Sequence, residues 1–184
     1  MMDYLSQLGS LALGSRLKRL SERLNLEVAA IYQQKEFSFE PRWFPVFHFL
    51  GQNGENAITD IARAIDVTHP AVNQVASEML SAGIIVQVAS ASDKRRRLLS
   101  LSKKGQKIFD EMESSWRLIR MSINQAIEES SHDIVTAIQS LEQSLDKADL
   151  PSRFAQNEEL LKNATVEIIE FDPAYRDDFR LLNE

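Results

Sequence analysis

Asn73 and Gln74 sit among polar residues (His69, Pro70, Ser77 and Glu78 are the others) that alternate at helical spacing with Val72, Val75, Ala76, Met79 and Leu80. A side-chain carboxamide donates and accepts at once, so it can pair in bidentate fashion with the N6 and N7 edge of adenine when its helix lies in a major groove. A second chemistry follows. From Asp93 to Lys107 the chain carries seven basic side chains, Lys94, Arg95, Arg96, Arg97, Lys103, Lys104 and Lys107, against the single acid Asp93, although its net charge is −6. Each feature alone has an ordinary explanation, since an amphipathic helix always has a polar side and a charge run is usually a solvated face. Together they match what a DNA duplex requires: amides that read bases in one groove, and cations at the phosphates and in the neighbouring groove.

The elements that must hold these groups can be read from periodicity. Ile58, Ile61, Ala62 and Ile65 recur at i, i+3, i+4 and i+7, which predicts a helix of about three turns. Asp66, Val67 and Thr68 interrupt it. Thr68 can then cap a second helix starting near His69, with Pro70 in the first turn, where its missing N–H costs little, and Gly83 ending it. The β-branched run Ile84 to Val88 and the apolar run of Leu98, Leu99 and Leu101 predict two strands around a loop, Ala89 to Arg96. The basic residues thus fall at a hairpin tip beside a two-helix unit. On either side lie longer helical patterns. Leu5 to Ile31 forms one, weakened at Gly9 and Gly14 and ending near Phe37; Pro41 opens the dense aromatic block Trp43 to Leu50. Gly105 to Glu129 forms another, and Ser131-His132-Asp133 caps a last one carrying Ile134, Ile138, Leu141 and Leu145. Such helices have more apolar surface than one small domain can hide, which favours a dimer.

These residues resemble the MarR (multiple antibiotic resistance regulator) family of winged helix-turn-helix regulators. The wing carries the likeness most specifically: Asp93-Lys94-Arg95 stands where the family has D-x-R, and Leu101-Ser102-Lys103-Lys104-Gly105 where it has L-[TS]-x-x-G. Thr59-Asp60-Ile61-Ala62, Val67 to Val72 and Met79 to Ile85 look right for the flanking helices, and the likeness covers about residues 5–149. It implies a mainly α fold with a small β-hairpin wing: a winged helix-turn-helix over 36–102, a helical dimerisation region from 1–35 and 103–149, and a linker with a strand-helix extension over 150–184. It also implies that Arg95 enters the minor groove, with Asp93 orienting it or a neighbouring arginine. Lys94, Arg96, Arg97 and Ser77 would meet phosphates, while Asn73, Gln74 and His69 would meet bases, with Thr68 and Pro70 at the same helix start. Arg96 and Arg97 go beyond what the family pattern fixes. The implied partner is double-stranded DNA, bound by a homodimer whose recognition helices lie ~34 Å apart over a pseudo-palindrome, acting as a repressor. A small aromatic or phenolic anion would tune the binding from a crevice beside the dimer helices. Arg16, Trp43, Phe44 and Phe47 are the candidates to line it, although an aromatic block at helical spacing is more often core.

Composition narrows the alternatives. The 184 residues suffice for one packed domain with appendages but not for two full enzyme domains. No uninterrupted apolar run approaches the ~20 residues a bilayer requires, and no secretory pattern opens the chain, so a cytoplasmic protein without membrane contact is expected. Absence of cysteine excludes disulfides, thiolate zinc sites and thiol-based sensing. His48, His69 and His132 lack metal-ligand spacing, the six glycines make no phosphate loop, and no G-x-S-x-G occurs, so neither an enzyme nor a metal or cofactor is expected. The tail opens a different possibility. A polar stretch, Ser152 to Ala164, leads into an alternating run from Thr165 to Phe171, and Ile168 to Asn183 resembles the first strand and helix of a GNAT-type acetyltransferase. Three readings therefore stand side by side: a regulator with a short extra strand and helix, the regulatory half of a MarR–acetyltransferase fusion, and a protein-interaction module on a winged-helix fold.

Overall fold

Backbone dihedrals at a few residues set where the helices break. The structure is a computed structural model in which residues 3–89 and 97–163 are described. Helix α1 (Tyr4–Gln7), capped by the Asp3 carboxylate on the Ser6 N–H, gives way to a 3-10 turn, Gly9–Ala12, and then to α2 (Leu13–Gln34). The break falls at Gly9, whose φ of +54° is left-handed, while Gly14 stays helical. The single pattern expected from Leu5 to Ile31 is thus split, and it ends at Gln34 rather than near Phe37. A second 3-10 turn, Pro41–Trp43, leads into α3 (Phe44–Asn53), followed by α4 (Ile58–Ala64) and α5 (His69–Ser81). Thr68 caps α5 through its hydroxyl on the Ala71 N–H, with Pro70 in the first turn.

The hairpin joins β1 (Ile85–Ala89) to β2 (Arg97–Leu101) antiparallel, in a register running from Ile85 opposite Leu101 to Ala89 opposite Arg97. Asn56 adds a third short edge, exchanging both backbone hydrogen bonds with Leu99 at 3.0 and 2.8 Å. Phe47, Leu50, Ile61, Val72, Met79, Ile84, Ile85, Leu99 and Met112 fill the core beneath α5 and the hairpin. This is the mainly helical winged helix-turn-helix with a small β-hairpin that the sequence led us to expect.

Two junctions fix the wing to the helices. At Gly83 (φ +69°) α5 ends in a Schellman motif, with Ile84 N–H on the Met79 carbonyl and Gly83 N–H on that of Leu80. At the other junction α6 (Lys103–Glu129) starts on Ser102, whose hydroxyl accepts from Gly105 N–H at 2.9 Å and donates to the Gly83 carbonyl at 2.7 Å. A Cβ at Gly105 would collide with the backbone carbonyl of Ile84. The L-S-K-K-G stretch is therefore a packing motif: serine for the cap, glycine for the close approach.

The chain divides into two compact units, residues 1–125 and 126–184. The described part of the second holds α7 (Ile134–Lys147), capped by Asp133 on the Thr136 N–H, and α8 (Leu150–Asn163), capped by Asp149 on the Ser152 N–H. Arg153 of α8 returns to the end of α7, donating to the Ser144 and Ala148 carbonyls at 2.7 and 2.9 Å. The stretch from Ser152 expected to be a polar linker is thus helical through Asn163. Its Asp-Leu-Pro start and Glu-Glu-Leu-Leu-Lys run favour helix more than its Ser, Asn and Gln content opposes it. Among the described residues, no helix is long and apolar enough to cross a membrane.

Candidate nucleic-acid interface and adjoining cavity

Helix α5 turns Val72, Ala76 and Met79 into the core and leaves His69, Pro70, Asn73, Gln74 and Ser77 exposed, together with the capping Thr68. His69, Pro70, Asn73 and Gln74 occupy the first half of the helix, and Asn73 and Gln74 have no partner among the described hydrogen bonds, so both amides can meet an external edge. The Ser77 hydroxyl, by contrast, already donates to the Asn73 carbonyl at 2.8 Å and must rotate to donate to a phosphate. Glu78, expected on the outward face, turns back. It accepts from the indole N–H of Trp43 at 2.7 Å and pairs with the Arg42 guanidinium at 3.1 Å, tying α5 to the 3-10 turn Pro41–Trp43.

Asp93, Lys94, Arg95 and Arg96 lie outside the described residues, and so do the residues Ile168 to Asn183 that resemble an acetyltransferase opening. Arg97 stands at the foot of β2, exposed, with its guanidinium on the Gln87 side chain across the hairpin at 3.0 Å. That single bond leaves most of its donors open and fixes its direction. The rest of the basic run serves other ends: Lys104 donates to the Ala82 carbonyl at 2.9 Å at the end of α5, and Lys107 pairs with Glu111 at 3.6 Å along α6. Lys104 and Lys107 are thus engaged within the chain, while Lys103 is exposed.

Beneath the winged unit lies a cavity of about 370 Å³ between α2, α3 and α6. Val28, Phe44, Trp116 and Ile119 give it apolar walls, and Asn25, Tyr32, His48, Arg120 and Asn124 supply polar groups. Of the four residues expected to line a crevice, Phe44 alone does so. Trp43 and Phe47 are buried core, Phe47 completely, and Arg16 is exposed on α2 away from the cavity. The aromatic block of α3 thus divides by helical phase, one side into the core and one onto the cavity. Sequence reading missed Tyr32, His48, Trp116 and Arg120, which lie on three elements far apart in the chain.

The cavity's electrostatics follow from that packing. His48 rests against Phe44, Trp116 and Phe109, with ring centroids 5.1, 5.4 and 5.9 Å away. Burial first, and the positive field of Arg120 second, hold its imidazole below the usual histidine range. Tyr32 accepts from the Trp116 indole at 3.1 Å; burial raises its phenol while that hydrogen bond opposes the rise. Among the described residues, Arg120 has no acidic partner. The arrangement is that of an apolar slot with a cationic rim, suited to a small flat anion.

An exposed amide-bearing helix beside a β-hairpin, on a core shared with long helices, defines a winged helix-turn-helix. Residues 37–96 match the family model described as MarR family, about the span of the two-helix unit and wing. The chain is 23% identical over 118 residues to the HTH-type transcriptional regulator FarR of Neisseria gonorrhoeae, a match spanning 64% of this chain and 73% of that protein. In three dimensions it is similar to MepR of S. aureus, solved as a DNA complex (TM-score 0.60, 18% identity, 72% of this chain and 98% of that one). It is also similar to BpsR of Bordetella bronchiseptica (TM-score 0.54, 21% identity, 74% and 94%), whose DNA binding is regulated by 6-hydroxynicotinic acid. The family model matches the winged unit alone, the likeness to these solved structures shows the fold, and none of the comparisons supports an acetyltransferase tail.

Proposed function

We propose that the chain acts as a homodimeric transcriptional repressor that binds a pseudo-palindromic duplex and is tuned by a small aromatic anion. The observation that carries the reading is the exposed face of α5, where Asn73 and Gln74 stand unpartnered beside His69 at the start of the helix. In this reading the amides meet base edges in the major groove, with His69, Thr68 and Pro70 at the same end. Arg95 enters the minor groove, oriented by Asp93, while Lys94, Arg96, Arg97 and a rotated Ser77 meet phosphates. Arg97 is held for this by Gln87. The cavity fits the regulatory half of the proposal, since its wall includes Pro41 and Phe44, on either side of Arg42 and Trp43, which hold Glu78 of α5. An anion seated there presses on the segment that positions the recognition helix, and a differential fit between DNA-competent and other arrangements would shift the population. The DNA complex of MepR and the aromatic acid that regulates BpsR lend this reading support.

Fluorescence anisotropy against the protein's own upstream DNA and a scrambled duplex, across a range of salt, tests it. We expect selective binding with a steep salt slope. Arg95→Ala is expected to weaken specific binding by about 1–3 kcal/mol and to flatten the slope of log K against log salt by roughly one unit. Equal binding to both duplexes, in the non-specific range of ~10⁻⁴ to 10⁻⁶ M, would instead make the winged unit a protein-interaction module.

A further inference from the structure

His48 and Arg120 share one cavity, and among the described residues neither has a counter-charge there. The titratable groups on the wall are Tyr32 from α2, His48 from α3 and Arg120 from α6, and the phenol of Tyr32 is engaged by Trp116. Among the described hydrogen bonds none reaches either ring nitrogen of His48, which packs against the rings of Phe44, Phe109 and Trp116. Among the described residues, two potential cations and no acid therefore border an apolar slot of about 370 Å³, with room for a substituted benzene ring.

We propose that this cavity takes up an aromatic carboxylate together with one proton, and that the proton settles on His48. The inference rests on the ligand reading above and adds its proton linkage. Without a ligand, burial and Arg120 keep the imidazole neutral near pH 7. A bound carboxylate reverses both causes: it offsets the guanidinium charge and gives an imidazolium N–H an acceptor. The group's affinity for protons rises, and a proton comes from solvent as the anion enters. The sign is fixed by linkage. Well above the bound-state range of His48 no proton is taken up and affinity is flat. Between the free and bound ranges each unit fall in pH tightens binding, approaching tenfold per unit. In the ligand-free protein the same depressed histidine makes the fold lose stability as pH falls below about 6.5, and bound carboxylate removes that loss.

Titration calorimetry of the full chain with benzoate tests this at about pH 5.5, 6.5 and 7.5, where the carboxylate stays ionised, in two buffers of different ionisation enthalpy. We expect net proton uptake, tighter binding at the lower pH, and no uptake with neutral benzyl alcohol. His48→Gln is expected to bind benzoate with neither proton uptake nor pH dependence. Benzoate binding to the unmodified protein without proton uptake overturns the inference and leaves the ligand reading standing. Uptake that persists in His48→Gln assigns the proton elsewhere and also overturns it, whereas no benzoate binding at any pH overturns the inference and the ligand reading together.

Discussion

The winged unit and the long helices treat their apolar residues in opposite ways. Under α5 and the hairpin every large side chain of the core is closed off, with Phe47, Ile61, Met79 and Met112 at zero exposure. On α2, Leu13, Leu17, Leu20 and Leu24 stay between 38 and 45% exposed, and on α7, Ile134, Ile138, Leu141 and Leu145 stay between 37 and 40% exposed. Both sets follow the 4-3-4 spacing of a packing seam, and both lie on helices with clear polar backs. One region has solved its burial problem within a single chain. The other carries a pattern that single-chain packing leaves half finished, which is why the proposed homodimer draws on these helices and why the exposed face of α5 does not depend on it for its own shape.

The largest effect is expected where the unfinished seam is broken. Leu17→Glu with Leu20→Glu puts charges into the stripe, and desolvating them on association is too costly for the dimer to persist. Light scattering should give the mass of one chain in place of two, tight operator binding should be lost with the second recognition helix, and far-UV dichroism should change little. A double variant that remains dimeric would place the interface elsewhere. Next comes an attack on the closed region. Gly105→Ala forces a methyl group onto the Ile84 carbonyl, where neither partner is a flexible side chain, so α6 must shift at its first turn. A loss of about 1–3 kcal/mol in urea unfolding is expected, together with weaker binding to the proposed duplex. Unchanged stability would mean that the junction yields.

The same contrast explains what could be read in the sequence. Period and punctuation sufficed for α5 and the two strands, because Thr68, Pro70 and Gly83 each act through backbone physics local to their own position; the period also found α4, but its 7 residues make about two turns where about three were expected. The exposed face of α5 followed from the same period. Glu78 did not, since its direction depends on Trp43 and Arg42, which reach it across a tertiary contact. His48 drew notice only as a histidine without metal-ligand spacing, for a similar reason: the cavity it faces exists only once Trp116 and Arg120 arrive on α6. The break at Gly9 in place of Gly14, and the helix from Leu150, were ambiguous locally because each depends on a preference too weak to decide alone.

Glu78 gives the finest test, because it sits where the closed region meets the cavity wall. Its carboxylate joins α5 to both Arg42 and Trp43, and the flanking Pro41 and Phe44 line the cavity. Glu78→Gln keeps an acceptor for the Trp43 indole and removes the charge facing Arg42. Because the Arg42 side chain is 60% exposed, solvent screens that pair, and a stability loss of only about 0.5–1 kcal/mol is expected. The informative quantity is the coupling. If segment 41–44 transmits the state of the cavity to the recognition helix, the variant should bind DNA and benzoate separately much as the parent does, while benzoate changes its DNA affinity by a smaller factor. Equal coupling in parent and variant would show that the cavity acts on DNA binding by another route, for instance through the long helices, and would move the link from the closed region to the open one.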